Sequence, residues 1–378
     1  MVTGISIIFG ILLLYYGYFL FSVYRGLSRL TVDDKEENEI KKVVSVIIPF
    51  RNEEKEIVNN LKSIENQNYD ENFYEVIYID DNSTDNSVEV LRKNISRKNI
   101  RILKYEHSLQ SRAHKKKVIE HAIEKSKGEI IVTTDADCTH GVEWLSSLID
   151  CFDDQTGFVS GPVEFFSDGK LFDELQALEF AGLIITGAGL IGAGKPAICN
   201  AANLAFRKKV FYEVGGYSDN LNLSSGDDEF LMQKIHSNTN YKIKFCADKK
   251  AKVFTKPMDN LTSFYHQRKR WASKGLFYKN KKLVVSLILI FLFYFGLFLF
   301  PLLALFINPI FWSLFAFGFI FKAIAEFVLM KKGIKILYDE KMLKYFLVAE
   351  IFHIPYIVLA SLSGLTGNYK WKDRELKR

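Results

Sequence analysis

Two kinds of hydrophobic patterning divide this chain. Its ends carry long unbroken apolar stretches, whereas its middle carries short apolar runs that each stop at a polar cluster. Met1 to Tyr24 contains no charged residue, and Ile5 to Tyr24 is almost continuously Ile, Leu, Phe and Tyr. About 20 such residues cross a bilayer core of about 30 Å, so residues 1–24 predict a transmembrane helix. No basic n-region precedes it and no small-residue cleavage motif precedes Arg25, so the helix is expected to stay uncleaved. Leu283 to Phe306 and Ile310 to Met330 predict two further spans, separated by Asn308-Pro309. Lys322 and Glu326 lie four apart on one face of the second of these, where they can pair. Leu343 to Leu365 is a fourth hydrophobic stretch, interrupted by Glu350, His353 and Pro355. Phe180 to Gly194 is uncharged but only 15 residues long with five glycines, which predicts a buried or membrane-surface helix rather than a span.

The middle, residues 43–282, alternates strands with helices. Val43 to Ile48 reads as a strand buried on both faces and stopped by Pro49; Asn52-Glu53-Glu54 can cap a helix reaching about Asn66. Glu75 to Ile79 is a second strand, ending in Asp80-Asp81-Asn82-Ser83-Thr84-Asp85, with a helix over Ser87 to Asn94. A third strand around Ile100 to Tyr105, a lysine-rich helix from His114 to Lys127 and a fourth strand, Glu129 to Thr133, follow. This order predicts an α/β domain with a mostly parallel sheet, whose ligands lie beyond the carboxyl ends of the strands. Gly215-Gly216 marks a helix stop, and Ser224 to Glu229 opens another helix with acids in its first turn.

Charge orients these parts. Arg25 and Arg29 follow the first span at once, so the linker 25–42 and the domain behind it are expected in the cytoplasm, at the inner membrane. A simple crossing by 343–365 would carry the basic tail 366–378 outside, which points to a re-entrant or interfacial segment instead. The net charge of +6 is modest, but Arg268, Lys269, Arg270, Lys274, Lys279, Lys281 and Lys282 cluster without an acid beside the second span. Such a cluster attracts anionic lipid head groups. The four cysteines show no metal-ligand spacing and suit a reducing compartment.

The candidate chemistry begins where the fourth strand ends, at Asp135-Ala136-Asp137. Residues two apart share a face in extended chain, so the two carboxylates point the same way and can hold a hard divalent cation such as Mg2+. Alone, such a pair is as readily a solvated loop. It is one of an ordered set: Ser45-Val46-Ile47-Ile48-Pro49-Phe50-Arg51-Asn52-Glu53, Asp80 to Asp85, Asp135-Ala136-Asp137, Asn203-Leu204-Ala205-Phe206-Arg207, Gly226-Asp227-Asp228 and Gln267-Arg268-Lys269-Arg270-Trp271. This set, spanning roughly Val43 to Trp271 and followed by membrane spans, resembles the membrane-bound inverting glycosyltransferases of family 2, which have the GT-A fold and the Gln-X-X-Arg-Trp motif.

The resemblance implies a nucleotide-sugar donor, a UDP-sugar first among them, with Phe50, Arg51, Glu53 and Asp81 as donor contacts. Lys115 and Lys116 would reach the diphosphate, although a solvated helix face explains either as well. Asp135 and Asp137 would hold Mg2+ or Mn2+ against that diphosphate, Asp135 also touching the donor. Asp228, with Asp227 beside it, matches the base position; relatives commonly have Glu-Asp where this chain has Asp-Asp. Adjacent carboxylates repel, which is expected to raise the pKa of one of them. Asn203, Gln267, Arg270 and Trp271 would serve the acceptor and diphosphate; an interfacial Arg-Trp belt is the alternative for the last pair. Asp228-Glu229-Phe230-Leu231 resembles the lipid-glycosylating, ceramide-glucosyltransferase-like group, which implies a lipid or lipid-linked acceptor and contact with membrane lipids. The rivals are a processive polysaccharide synthase and a non-catalytic nucleotide-binding membrane scaffold, the second at odds with an unbroken acidic set. Few and mostly uncharged spans argue against a transporter, and no feature points to nucleic acid.

Overall fold

Val44, Val46, Ile47 and Ile48 are buried on both faces of β1 (Val44–Phe50) in the computed structural model, which describes all residues except 1, 31–40, 107–113, 221–225, 366–367, 372–373 and 378. Most of the linker 25–42, Ser224 and Ser225, and parts of the basic tail lie outside the described residues. β1 pairs in parallel with β2 (Tyr74–Asp80) on one side and β4 (Ile130–Thr133) on the other, and β3 (Ile100–Lys104) continues the parallel ladder beyond β2. Pro49 does not stop β1, but pairs with Ile79. Pairing with β4 ends at Ile47 and Thr133, so Pro49 lies where β1 has one strand partner, a position that tolerates a missing N–H.

The helices α2 (Ile57–Glu65), α3 (Ser87–Asn94) and α4 (His114–Lys125) make the connections. Asn52 does not cap α2, whose cap residue is Glu56; at φ +53° it turns back so that its Oδ1 accepts from Thr84 N at 2.8 Å. Past β4, β6 (Thr156–Ser160), β8 (Leu204–Arg207) and β9 (Lys242–Phe245) complete a seven-stranded sheet among the described residues, in the order β3-β2-β1-β4-β8-β6-β9. Only β8 runs antiparallel to its neighbours there. A smaller sheet joins β5 (Thr139–His140), β10 (Val253–Thr255) and β7 (Val163–Phe165) below the acidic pair. α5 (Trp144–Ile149), α7 (Lys208–Glu213), α8 (Glu229–Asn238) and α9 (Leu261–Ala272) cover this half.

Five helices among the described residues are long and apolar enough to cross a membrane: α1 (Val2–Leu27), α6 (Leu171–Gly192), α10 (Lys281–Phe306), α11 (Ile310–Leu337) and the segment ending in α12 (Phe346–Gly364). α6 is longer than its apolar pattern predicts because it starts at Leu171 and carries Asp173, Glu174 and Glu179. Its apolar stretch is 67% buried inside the protein, against 22–28% for the other four, so it is a packed interior helix. α1 crosses it at glycines: a Cβ on Gly26 would sit 1.7 Å from the Gly189 carbonyl oxygen, contact that only glycine permits.

Lys322 on α11 is fully buried and donates to Glu326 at 3.1 Å and to Glu350 of α12 at 2.6 Å. Tyr16 of α1 and Tyr294 of α10 both donate to Glu326, at 2.5 and 2.9 Å. Four helices are thereby tied at one polar point inside an apolar bundle. Glu326, Glu350 and His353 offer ligand atoms within 4.8 Å of one another, but the Lys322 ammonium already stands on both carboxylates as their cation.

Both ends of the α12 segment touch the α/β domain. Tyr338, ahead of it, donates to the Val163 carbonyl at 2.8 Å and accepts from Lys249 at 2.6 Å through its own carbonyl. At the other end a Cβ on Gly364 would meet Ala272 Cβ at 2.8 Å, and the hairpin β11 (Asn368–Trp371) and β12 (Arg374–Lys377) runs beside α9.

Candidate functional site

The carboxyl ends of β1 and β2 bring the first two polar clusters together. Asp81 N donates to the Phe50 carbonyl at 2.9 Å, and Arg51 Nη1 donates to the Asp81 carbonyl at 2.8 Å and to that of Asn82. The rest of the acidic turn serves the turn itself. Asp80 accepts from Ser83 N at 2.9 Å, and Asp85 accepts from Ser87 N at 3.0 Å and from Glu54 N at 3.2 Å. Although burial opposes it, these hydrogen bonds hold the Asp85 carboxyl below its ordinary value. Asp81 and Glu53 are left on the cavity wall with Phe50 and Arg51.

Beyond β4 the chain is not extended as expected: Cys138 N donates to the Asp135 carbonyl at 3.2 Å and closes a turn, which buries Ala136 and Cys138 and leaves Asp135 half-buried and Asp137 exposed on the cavity wall. The turn is held from beneath by Asn60, fully buried on α2, whose Nδ2 donates to the carbonyls of Asp135 at 3.1 Å and Cys138 at 2.8 Å. Tyr78 in turn donates to Asn60 Oδ1 at 2.6 Å. Two carboxylates with their backbone so fixed, offering oxygen atoms only, fit a hard divalent cation. Lys115 Nζ donates to Asp135 Oδ1 at 2.7 Å and lies 3.5 Å from Asp227 Oδ2, so it joins the third and fifth motifs across the site.

Asp228 caps α8, accepting from Glu229 N at 2.7 Å through Oδ1, and accepts from Ala201 N at 3.2 Å through Oδ2. Repulsion was expected to raise one member of the Asp227-Asp228 pair. Burial does oppose the Asp227 charge, but Lys115 and Lys116 outweigh it and hold its carboxyl below the ordinary value. The raised acid is Glu229, which burial pushes up although Lys274 lies 3.0 Å away and Tyr278 donates to it.

On α9, Gln267, Arg270 and Trp271 line the cavity. A face of the Trp271 ring is covered by the Arg268 guanidinium, 4.2 Å from the ring centre. Arg268 is itself buried and paired with Glu179 of α6, to which Tyr356 of α12 also donates at 3.0 Å. The basic cluster read as a lipid-facing patch is therefore partly internal. Arg268 is bound to Glu179 and Lys274 to Glu229, both enclosed, whereas Lys279 pairs with Asp219 at 2.7 Å on the surface.

Twelve of the anticipated site residues, Phe50, Arg51, Glu53, Asp81, Lys115, Asp135, Asp137, Asp227, Asp228, Gln267, Arg270 and Trp271, line one cavity of 1580 Å³. Two do not. Lys116 is buried with its ammonium 5.5 Å from the centre of the Phe230 ring, and this desolvation lowers its pKa to about 8. Asn203 is fully buried, accepting from Trp144 Nε1 at 3.0 Å and donating to the carbonyls of Pro162 and Ala251, both at 2.8 Å. The same cavity runs on past Glu179, Phe180 and Trp271 to Leu283, Leu287 and Ile290 of α10 and to Leu359 and Leu362 of α12. Asn60, Glu179, Glu229, Lys274 and Tyr278 were not anticipated as site residues. Their partners lie tens of residues away, and only the charge run around Lys274 and the acidic helix start that includes Glu229 were visible locally.

Residues 45–215 match the sequence model of glycosyl transferase family 2. The chain is 28% identical over 213 residues to the glycosyltransferase AglE of Haloferax volcanii, covering 54% of this chain and 64% of that protein. It is 24% identical over 285 residues to the probable glycosyltransferase YdaM of Bacillus subtilis, covering 71% and 65% respectively. The chain thus spans less than two thirds of the length of these curated relatives. Among solved structures it is similar to a mannosyltransferase from Pyrobaculum calidifontis in complex with GDP-Man and Mn2+, with a TM-score of 0.59 at 17% identity, covering 96% of this chain and 99% of that one. That likeness bears on the fold, which is the mixed α/β architecture expected from the alternation of strands and helices and the GT-A-like arrangement that the resemblance implies.

Proposed function

We propose, from the premise that this chain contains a glycosyltransferase family 2 domain of the GT-A fold, that it transfers a sugar from a nucleotide-sugar donor, with inversion, to a hydroxyl of a lipid or lipid-linked acceptor. The observation that carries this reading is the continuity of one cavity from the Asp81, Asp135, Asp137 and Asp228 carboxylates to the apolar faces of α10 and α12. Phe50, Arg51 and Asp81 would hold the nucleoside, since a carboxylate accepts hydrogen bonds from a base edge or a ribose hydroxyl. Asp135 and Asp137 would hold Mg2+ or Mn2+; the Mn2+ and GDP-Man bound to the similar mannosyltransferase support this. Such a cation neutralises charge on a departing diphosphate. Lys115 and Arg270 would add fixed positive charge there, and Trp271 would bound the acceptor side. Asp228 is the base that takes the acceptor's proton from the face opposite the leaving group, as inversion requires.

The membrane arrangement belongs to the same proposal. α1, α10 and α11 cross the inner membrane, residues 43–282 face the cytoplasm, and the α12 segment re-enters from the cytoplasmic side without crossing. The contacts of both ends of the α12 segment with the α/β domain support this, and it keeps the basic tail inside.

The test uses the full chain in vesicles of bilayer lipid with radiolabelled UDP-glucose, UDP-GlcNAc and GDP-mannose, with Mn2+ or with EDTA. Label entering the organic phase with Mn2+, lost with EDTA and lost in Asp228→Asn, is the expected result. Label only in a water-soluble polymer would favour a polysaccharide synthase, and no transfer together with nucleotide binding would favour a scaffold.

A further inference from the structure

The cavity continues past the place where an acceptor hydroxyl would meet Asp228. Leu283, Leu287, Ile290 and Tyr294 fall on one face of α10 and all line it, so its wall follows that helix for about three turns, or about 16 Å into the bundle. The first three are aliphatic and Tyr294 is not. At this depth the lining turns polar, with Tyr16 of α1, Glu326 of α11, and Glu350 and His353 of α12. Polar groups inside a membrane bundle are costly, and they mark places where something polar is bound. Tyr16, Tyr294, Lys322, Glu326 and Glu350 already complete the tie among four helices. His353 adds little to it, since its Nδ1 stands 3.4 Å from Lys322 Nζ and 3.5 Å from Glu326 Oε2. Its side chain is 27% exposed, against 0% for Lys322, 10% for Glu326 and 4% for Glu350, so it is the member of the group presented to the cavity.

We propose that this deep end is a second contact for the acceptor, and that the acceptor lipid carries a neutral hydroxyl or carbonyl oxygen within its hydrocarbon chain, bound by His353. This rests on the reading of a lipid acceptor and narrows its class. An ammonium only donates, so Nδ1 facing Lys322 accepts, and the neutral ring carries its proton on Nε2. Nε2 then offers an N–H to the occupant of the cavity. A plain alkyl or polyisoprenoid chain would leave that donor unpaired in apolar surroundings, a loss that an oxygen in the chain removes. The charge of the group selects among oxygens. Two carboxylates stand against one ammonium, so a carboxylate or phosphate would be repelled, whereas a hydroxyl or carbonyl is not. Leu283, Leu287 and Ile290 would lie along the chain between this oxygen and the reacting hydroxyl. Three turns of aliphatic wall put the second oxygen in the middle of a long chain, not beside the head group.

The test uses the full chain in lipid nanodiscs and a photoreactive fatty alcohol, octadecanol with a diazirine in its chain, whose attachment sites are mapped by mass spectrometry. Labelling is expected on α10 and α12 near Tyr294 and His353. Octadecanol bearing a mid-chain hydroxyl is expected to compete at about tenfold lower concentration than octadecanol itself, the gain from one hydrogen bond. In His353→Phe, which keeps an aromatic ring and loses the N–H, the two competitors should become equal. Equal competition in the wild type, or a preference that survives in His353→Phe, overturns the proposal. Leu287→Trp narrows the cavity about two turns above Tyr294 and is expected to abolish labelling at the deep end. Labelling that persists there would show entry from the bilayer and overturn the assignment to the acceptor's path. Mn2+-dependent binding of UDP-glucose or GDP-mannose reports that each variant has folded. Failure of transfer to any lipid in the radiolabel assay would instead remove the acceptor class and leave the binding preference standing, so the two failures are distinct.

Discussion

Asn203 and Asp228 are both polar, both buried and both members of motifs that stood out in the chain, yet they serve different ends. The Asn203 amide is consumed by Trp144 and two main-chain carbonyls, which ties β8 to the small sheet under the acidic pair. Asn203→Ala leaves an indole N–H and two carbonyls without partners, and is expected to cost about 3 kcal/mol or more in thermal unfolding. Donor affinity in the folded fraction should be unchanged. His140 belongs to the same floor, set between Ser63 at 3.0 Å, Thr134 at 2.9 Å and the Trp144 ring. Burial lowers its pKa from 6.5 to about 3. The unfolded chain therefore takes up a proton first, and stability falls as pH drops from about 6.5 toward about 3, by up to about 1.4 kcal/mol per pH unit. His140→Gln should flatten the melting temperature over that range, while a slope as steep as wild type would assign the acid loss to other groups.

At the scale of elements, strand ends were the most legible feature. An aliphatic run that stops at a polar cluster needs no partner to be recognised, and β2 and β4 end this way, whereas β1 runs on through Pro49 to Phe50. The extent of α6 was not legible. Its apolar stretch begins at Phe180, whereas the helix begins at Leu171 because Glu179 is neutralised by Arg268 of α9 and held by Tyr356 of α12. No local pattern reveals partners 89 and 177 residues away. The same contacts explain why Arg268 does not face lipid despite its basic neighbours. Removing one charge of an enclosed pair costs about 3–5 kcal/mol, whereas removing both is often nearly neutral. Arg268→Met alone should accordingly lower the melting temperature sharply. The double variant Arg268→Met with Glu179→Gln should recover most of it, and simple additivity of the two single changes would show that the pair is not coupled.

For the molecule as a whole, α12 is where two rules of reading met. Its hydropathy suits a crossing, but the positive tail behind it does not, and Glu350, His353 and Pro355 interrupt it. The cation of Lys322 beside Glu350 explains how that acid is accommodated. The proposed arrangement makes Lys341→Cys and Leu365→Cys reactive with an impermeant maleimide from the cytoplasmic side, and Asn308→Cys, between α10 and α11, from the opposite side. Labelling of Lys341→Cys and Leu365→Cys from different sides would make α12 a crossing helix.

The position of α6 also bears on the order of synthesis. It emerges from the ribosome after α1, with which it packs, but long before α11 and α12, which cover its remaining apolar surface. For much of translation that surface has no companion within the chain, and the cavity it walls has no floor on the membrane side. A nascent chain therefore has its acidic motifs in hand well before it has a closed site. Under the proposed function, a donor would meet a closed site only after α12 has settled.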